Sequence, residues 1–165
     1  MRRYVVFGVV ALALLLASIN NSSATVAISQ MRVEFKVSVV VVGWVLTAYQ
    51  LVNTIGMAIA GKISDVIGAR KAFITYTLLF LTGSVLSALA PNVYLLIAAR
   101  AVQAMGGGGF MPCAAGIVSA TFPENRQRYI GLFSSIFPFG AVIGPNLGGF
   151  LVQAYGWRSI FWMNV

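Results

Sequence analysis

An all-helical membrane bundle is the fold class this sequence predicts, from its composition, its apolar runs and the placement of its charges. Of 165 residues, 59% are hydrophobic and 8% charged, whereas soluble domains carry about 25% charged residues. Apolar runs of bilayer-crossing length alternate with short polar junctions, and nothing alternates with the period of two that barrel strands need. Eleven Lys and Arg against three Asp and Glu give a formal charge of +8. These cations fall near the ends of the runs and form no basic stripe interleaved with aromatics, so the excess reads as membrane topology and no nucleic-acid partner is expected.

The first run, about Tyr4 to Ile28, follows Met1-Arg2-Arg3. Ser23-Ala24 makes a poor cleavage site and further spans follow, so the run reads as a retained signal-anchor helix. The next runs cover about 39–60, 72–90, 93–120 and 129–155, each near or above the roughly 20 residues a spanning helix needs. A sixth opens at Trp157 and reaches Val165 after about two turns, too short to cross. The chain is therefore expected to form one membrane domain, residues 1–165, of five complete helices and the start of a sixth, and to look cut there. Loop cations set the orientation. With a cytoplasmic N-terminus the inner face holds Arg2, Arg3, Lys62, Arg70, Lys71, Arg126 and Arg128, against Arg32, Lys36 and Arg158 outside, the bias that topology rules require.

Four constellations bear on function. Between the second and third runs lies Gly61-Lys62-Ile-Ser-Asp65-Val-Ile-Gly68-Ala-Arg70-Lys71, read as a charged loop. Gly68 suits a positive-φ reversal, and Asp65 can pair with Arg70 or face a helix N-terminus. The same cations would serve equally as topology anchors. Arg100 lies about 10 Å inside the fourth run at 1.5 Å per residue, where a charge must be paired, hydrated or snorkelled outward, and Gln103 shares nearly the same face. In the fifth run Gly140, Gly144 and Gly148 recur every four residues, a groove for close helix approach, while Pro145 removes a backbone donor and is expected to bend the helix and Gly149 follows the stripe. In the first run Asn20, Asn21, Ser22 and Ser23 are placed to line a cavity or to bond across helices.

Other patterns are decoys. Gly56 to Lys62 has phosphate-loop spacing, but Ile63 replaces the magnesium-binding hydroxyl and no strand precedes it; Gly106 to Gly109 likewise gives no dinucleotide fingerprint. With Cys113 as the sole cysteine and no histidine, a His/Cys metal site is not expected. No nucleophile and base pair is apparent either, so an enzyme is not expected and no cofactor is implied.

The order G-K-x-S-D-x-x-G-x-R-K over Gly61 to Lys71 resembles the signature loop of major facilitator superfamily transporters. Arg100-Ala-Val-Gln103 resembles that family's fourth-helix motif R-x-x-Q-G, with Ala104 where glycine is usual, a motif associated with proton coupling and substrate handling. Gly140 to Gly149 resembles the fifth-helix motif of the antiporters. Ile19 to Ile28 is similar to the first-helix segment L-D-x-T-I-V-N-V-A-L-P of the fourteen-helix drug:proton antiporters, with Asn20 at the aspartate position and Ser29 at the proline. The segment Gly156 to Val165 looks like that subgroup's sixth-helix start.

The resemblance implies an N-terminal bundle of a major facilitator fold, working by alternating access in a bacterial-type inner membrane. It implies efflux of drugs or other amphipathic small molecules, driven by a proton gradient. Trp44, Tyr49, Phe80, Met105, Phe110, Met111, Phe133 and Phe137 would offer adaptable apolar surface, though core or lipid-facing packing explains such residues as well. Glu34, Asp65 and Glu124, the three acids, are read as lying in loops, so a proton carrier is expected elsewhere, in a missing C-terminal half. Membrane lipid and that half, or a second copy forming a half-transporter homodimer, are the expected partners. A non-transporting fragment or a partner subunit remains the alternative.

Overall fold

The computed structural model describes residues 2–165; the side chains of Arg2 and Arg3, two of the cations used for orientation, lie outside what is described. Helices follow one another with no strand among the described residues: α1 (Arg2–Phe35), α2 (Val39–Ile67), α3 (Ala69–Ala88), α4 (Val93–Thr121), α5 (Arg126–Tyr155) and α6 (Ser159–Trp162). The first five are long and apolar enough to cross a membrane.

These helices outrun their apolar cores. α1 continues past Ile28 because Ser29 to Phe35 contains neither Gly nor Pro. It ends where Lys36 takes a φ of 54°, with Val37 N–H donating to Arg32 O and Lys36 N–H to Val33 O, the paired closure that usually recruits glycine. Ser38 then caps α2, its side chain accepting from Val41 N–H, and Asn92 caps α4 in the same way through Leu95 N–H.

The largest correction concerns Gly61 to Lys71, which is not a loop. α2 runs on through Gly61, Lys62 and Asp65 to Ile67, and α3 starts at Ala69. A single residue, Gly68 at φ 89° and ψ 138°, separates them. Lys62 to Ile67 contains no breaker, so the helix extends beyond the apolar run; Gly68 reverses it, as its positive φ was expected to do. The acids are corrected likewise: Glu34 and Asp65 sit on the last turns of α1 and α2, and only Glu124 falls between helices.

Side-chain pairings fix the packing. α4 lies along both α2 and α3, and α1 lies along α5. The α4 glycines permit it: a Cβ on Gly108 would come within 2.5 Å of Asn53 O on α2, and one on Gly106 within 2.6 Å of Tyr76 O on α3. Such positions accept no side chain without moving a helix. The stripe Gly140, Gly144, Gly148 is buried against α1, where added Cβ atoms would strike Ser18, Ser22 and Ser23 in turn. Residue numbers rise together along that contact, so α1 and α5 run parallel. α5 is helical through Pro138 and Pro145.

Two apolar clusters result. One, toward Gly68, contains Phe73, Tyr76, Phe80, Phe110 and Phe133; the other, toward Asn92, contains Met31, Val42, Leu96, Trp157 and Phe161. Between them lies a polar layer. Large apolar groups elsewhere, among them Leu78, Val142 and Phe150, point outward, as a lipid-facing surface requires.

Candidate functional site

The polar layer is built around Arg100, one turn before Gln103 on α4. Both are 0% exposed, as are Asn20 on α1 and Ser84 on α3. The side chain of Arg100 therefore does not snorkel to the outer face; it stays inside the bundle. Its Nη1 donates to Gln103 Oε1 at 2.7 Å and to Asn20 Oδ1 at 3.0 Å. Gln103 Nε2 donates to Ser84 Oγ at 2.6 Å and to Asn20 Oδ1 at 3.3 Å. Asn20 Nδ2 reaches Ile160 O, and Asn164 Nδ2 donates to the same Ser84 hydroxyl. α1, α3, α4 and the segment after α6 thus meet in one hydrogen-bonded patch.

That patch is unbalanced. Nε and Nη2 of Arg100 are buried without a partner, as is Asn164 Oδ1. Arg100 makes no ion pair; among the described residues the ion pair is Glu34 with Arg158, at the Asn92 end of the bundle. Glu34 also accepts from Trp157 Nε1 at 2.7 Å. The guanidinium is instead covered by aromatic rings, with its carbon 3.9 Å from the Tyr49 ring centroid and 5.6 Å from that of Phe161. Cation–π contact offsets part of the burial cost, typically about 2 kcal/mol when desolvated, against several kcal/mol per buried ion.

Tyr49 has two neighbours. Beyond it opens a cavity of about 310 Å³, lined by Leu14, Ala17 and Asn21 of α1, Tyr49, Gln50, Asn53 and Met57 of α2, Gly107 and Met111 of α4, and Ser134, Phe137 and Pro138 of α5. Its size matches small-molecule sites, and its walls are apolar with a few polar groups. The bare Cα of Gly107 admits the Tyr49 hydroxyl, since a Cβ there would lie 2.8 Å from it.

The expected site residues separate into four places. Asn20, Arg100 and Gln103 come together; Asn21 points instead into the cavity. Gly140, Gly144 and Gly148 join α5 to α1, with Ser18 Oγ donating to Phe137 O, Ser22 Oγ to Gly140 O and Ser23 Oγ to Gly144 O. Pro145 is exposed and Gly149 half-buried with open space around it, so neither belongs to that contact. Lys62, Asp65, Arg70 and Lys71 are exposed at the Gly68 end, and no ion pair joins Asp65 to Arg70. Of the apolar residues singled out, Tyr49, Met111 and Phe137 line the cavity, Phe80, Phe110 and Phe133 are core, and Trp44 and Met105 are exposed. Ser84 and the role of Asn164 were not foreseen. Ser84 follows Gly83, whose bare Cα lets α3 approach Gln103 closely, a contact that the sequence alone does not display.

The pattern described as Major Facilitator Superfamily matches residues 10–165. The chain is 30% identical over 165 residues to the riboflavin transporter RibZ of Clostridioides difficile, covering 99% of this chain and 36% of that protein. It is 32% identical over 164 residues to multidrug resistance protein 3 of Bacillus subtilis, covering 99% and 32%. A multidrug resistance protein B homolog of Mycobacterium tuberculosis is 36% identical over 159 residues, covering 96% and 29%. The chain thus spans roughly a third of the length of these curated relatives. Spanning helices and matched pattern together make it an integral membrane protein from a family of transporters, not of enzymes. By the extent of that match, the chain belongs to the Major Facilitator Superfamily.

Proposed function

We propose that the chain is the N-terminal part of a secondary active transporter, a proton-coupled efflux antiporter for drugs or other amphipathic small molecules that works by alternating access. The cavity of about 310 Å³ beside the buried Arg100 patch carries the reading. Its walls come from four helices, and the flexible side chains of Met57 and Met111 let it adapt to varied apolar shapes. Export is supported by the names of the multidrug resistance relatives and by the glycine stripe of α5, whose order resembles the antiporter motif. The positive-inside rule supports a cytoplasmic Gly68 end, which carries Lys62, Arg70, Lys71, Arg126 and Arg128. A bacterial inner membrane fits the sources of the relatives.

Coupling needs a group that changes charge within the membrane, and arginine does not deprotonate in proteins. This favours a proton carrier in the C-terminal half of the same transporter, with Asp65 as the alternative within this chain and an uncoupled piece as the third option. Dye efflux from energised vesicles, with and without an imposed proton gradient, tests this on the 165-residue chain beside the longest reading frame that contains it. Gradient-driven efflux by the longer protein alone is expected. Efflux by the short chain would establish a self-assembling half-transporter instead, and none by either would sink the reading.

A further inference from the structure

We propose that Arg100 is the receptor for a carboxylate carried by an amphipathic molecule in the Tyr49-walled cavity, with the Tyr49 ring as the shutter between cation and ligand. This rests on the transport reading above and narrows it to a substrate class, organic acids with an apolar body. Three observations converge.

The first is which donors of Arg100 are idle. Nη1 is shared between Gln103 and Asn20, whereas Nε and Nη2 have no partner although the residue is 0% exposed. Nε–H and Nη2–H form the side-on fork of the guanidinium, the two parallel donors that meet both oxygens of one carboxylate. Here the neutral acceptors take the other nitrogen and leave the fork unoccupied.

The second is the missing countercharge. Arginine keeps its charge in any protein environment. Asn20 and Gln103 are uncharged, Glu34 is engaged by Arg158 and Trp157 at one end of the bundle, and Asp65 and Glu124 are exposed toward the other. A buried cation with no anion is costly, so the arrangement gains most from an anion that arrives from outside the chain.

The third is adjacency. Tyr49 is 3% exposed and stands between the two compartments, its ring 3.9 Å from the guanidinium carbon and its side chain in the cavity wall. Its hydroxyl rests against the bare Cα of Gly107. Rotation of the ring toward the cavity opens the fork to a ligand whose apolar body meets Leu14, Met57, Met111 and Phe137. The ring's attraction for the cation is what the arriving carboxylate replaces.

The test uses a matched pair, naphthalene-2-carboxylate and naphthalene-2-carboxamide, of nearly equal shape and different charge. Binding is measured by equilibrium dialysis at pH 7 in detergent and a methanesulfonate buffer free of carboxylates, on the chain and on the longest reading frame. The acid should bind at least about tenfold more tightly than the amide, the difference that one charge-assisted pair supplies. Arg100→Gln should remove that preference. Tyr49→Ala should tighten the acid and not the amide, and because it keeps Arg100 it serves if Arg100→Gln fails to fold.

Equal binding of acid and amide, no binding of either by wild type and Tyr49→Ala, or a preference that survives Arg100→Gln would overturn the assignment. Loss of the preference when chloride replaces methanesulfonate would make this an inorganic-anion site instead. Preference in the short chain but not in the longer protein would show that a carboxylate of the longer polypeptide fills the fork. Gradient-dependent efflux of an uncharged dye is measured alongside, because it persists if only this inference fails and is absent if the transport reading fails too.

Discussion

Arg100 and Arg70 are the same residue type on neighbouring helices, and their surroundings are opposites. Arg100 is sealed between two apolar clusters, held by Asn20 and Gln103 and roofed by Tyr49. Arg70 stands exposed on the first turn of α3 beside Lys71. Charge in the first place is costly to the fold, because a desolvated ion must recover several kcal/mol from its partners. In the second it costs the fold almost nothing, since water and ions screen it. If the folding penalty at Arg100 is retained for chemistry, its removal should cost transport, and the exposed Arg70 offers the comparison. Removing the buried charge should therefore move both stability and transport, whereas removing a charge at the exposed end should leave stability unmoved.

The sharpest separation is expected from Arg100→Met, which keeps side-chain volume and removes the charge. Removing a buried charge that has no counterion recovers its desolvation cost of several kcal/mol, and stranding the Gln103 Oε1 acceptor gives back about 1–3 kcal/mol of it. The unfolding temperature should hold or rise, while transport by the intact protein falls at least about a hundredfold, the loss of roughly 3 kcal/mol of specific interaction. Cys113, buried and the sole cysteine of the sequence, supplies the readout: a thiol-reactive fluorophore labels it only when the bundle opens. A large drop in stability with transport intact would reduce Arg100 to a structural residue.

Gly144→Val probes the α1–α5 contact, where no charge is involved. An added side chain meets Ser22 and comes within 2.9 Å of Ile19 O, so the helices must separate. Overpacking of this kind costs about 1–3 kcal/mol, and Ser23 Oγ would lose its 2.7 Å bond to Gly144 O. Earlier labelling of Cys113 on heating would show it. Gly149→Ala, one residue beyond the stripe's end and facing open space, should leave the labelling curve within about 0.5 kcal/mol of wild type.

What was legible in the sequence follows the range of the physics involved. The spans were legible because bilayer-length apolar runs are a local property, and their true ends were not, because Ser29 to Phe35 and Lys62 to Ile67 interrupt the apolar run with polar residues and contain no helix breaker. The Arg100 and Gln103 pairing was legible from i, i+3 spacing on one helix. Ser84, Tyr49 and Asn164 were not legible as members of the patch, since their place depends on the register of α2 and α3 against α4, and helix periodicity carries no register. The glycines of α4 were noticed only as a failed nucleotide fingerprint. Their bare Cα atoms set the separation of three helices, a property visible only once the neighbours are known.

At the exposed end, Gly68→Ala and Asp65→Asn separate backbone from charge. With φ at 89° and ψ at 138°, Gly68 occupies a region that L residues avoid; alanine there should cost about 1–3 kcal/mol, although open space surrounds the site. Asp65→Asn should be the mildest change of all. The carboxylate is exposed and bonded to neither Arg70 nor Lys71, so its loss should move stability by no more than about 0.5 kcal/mol. If the segment gates, efflux by the intact protein should nonetheless fall severalfold, because the pairing that matters forms in another state of the cycle, when α2 and α3 meet an opposing surface. Measured with expression and labelling of Cys113 held equal, unchanged efflux would leave Lys62, Arg70 and Lys71 as topology anchors and confine the chemistry of this chain to the buried arginine.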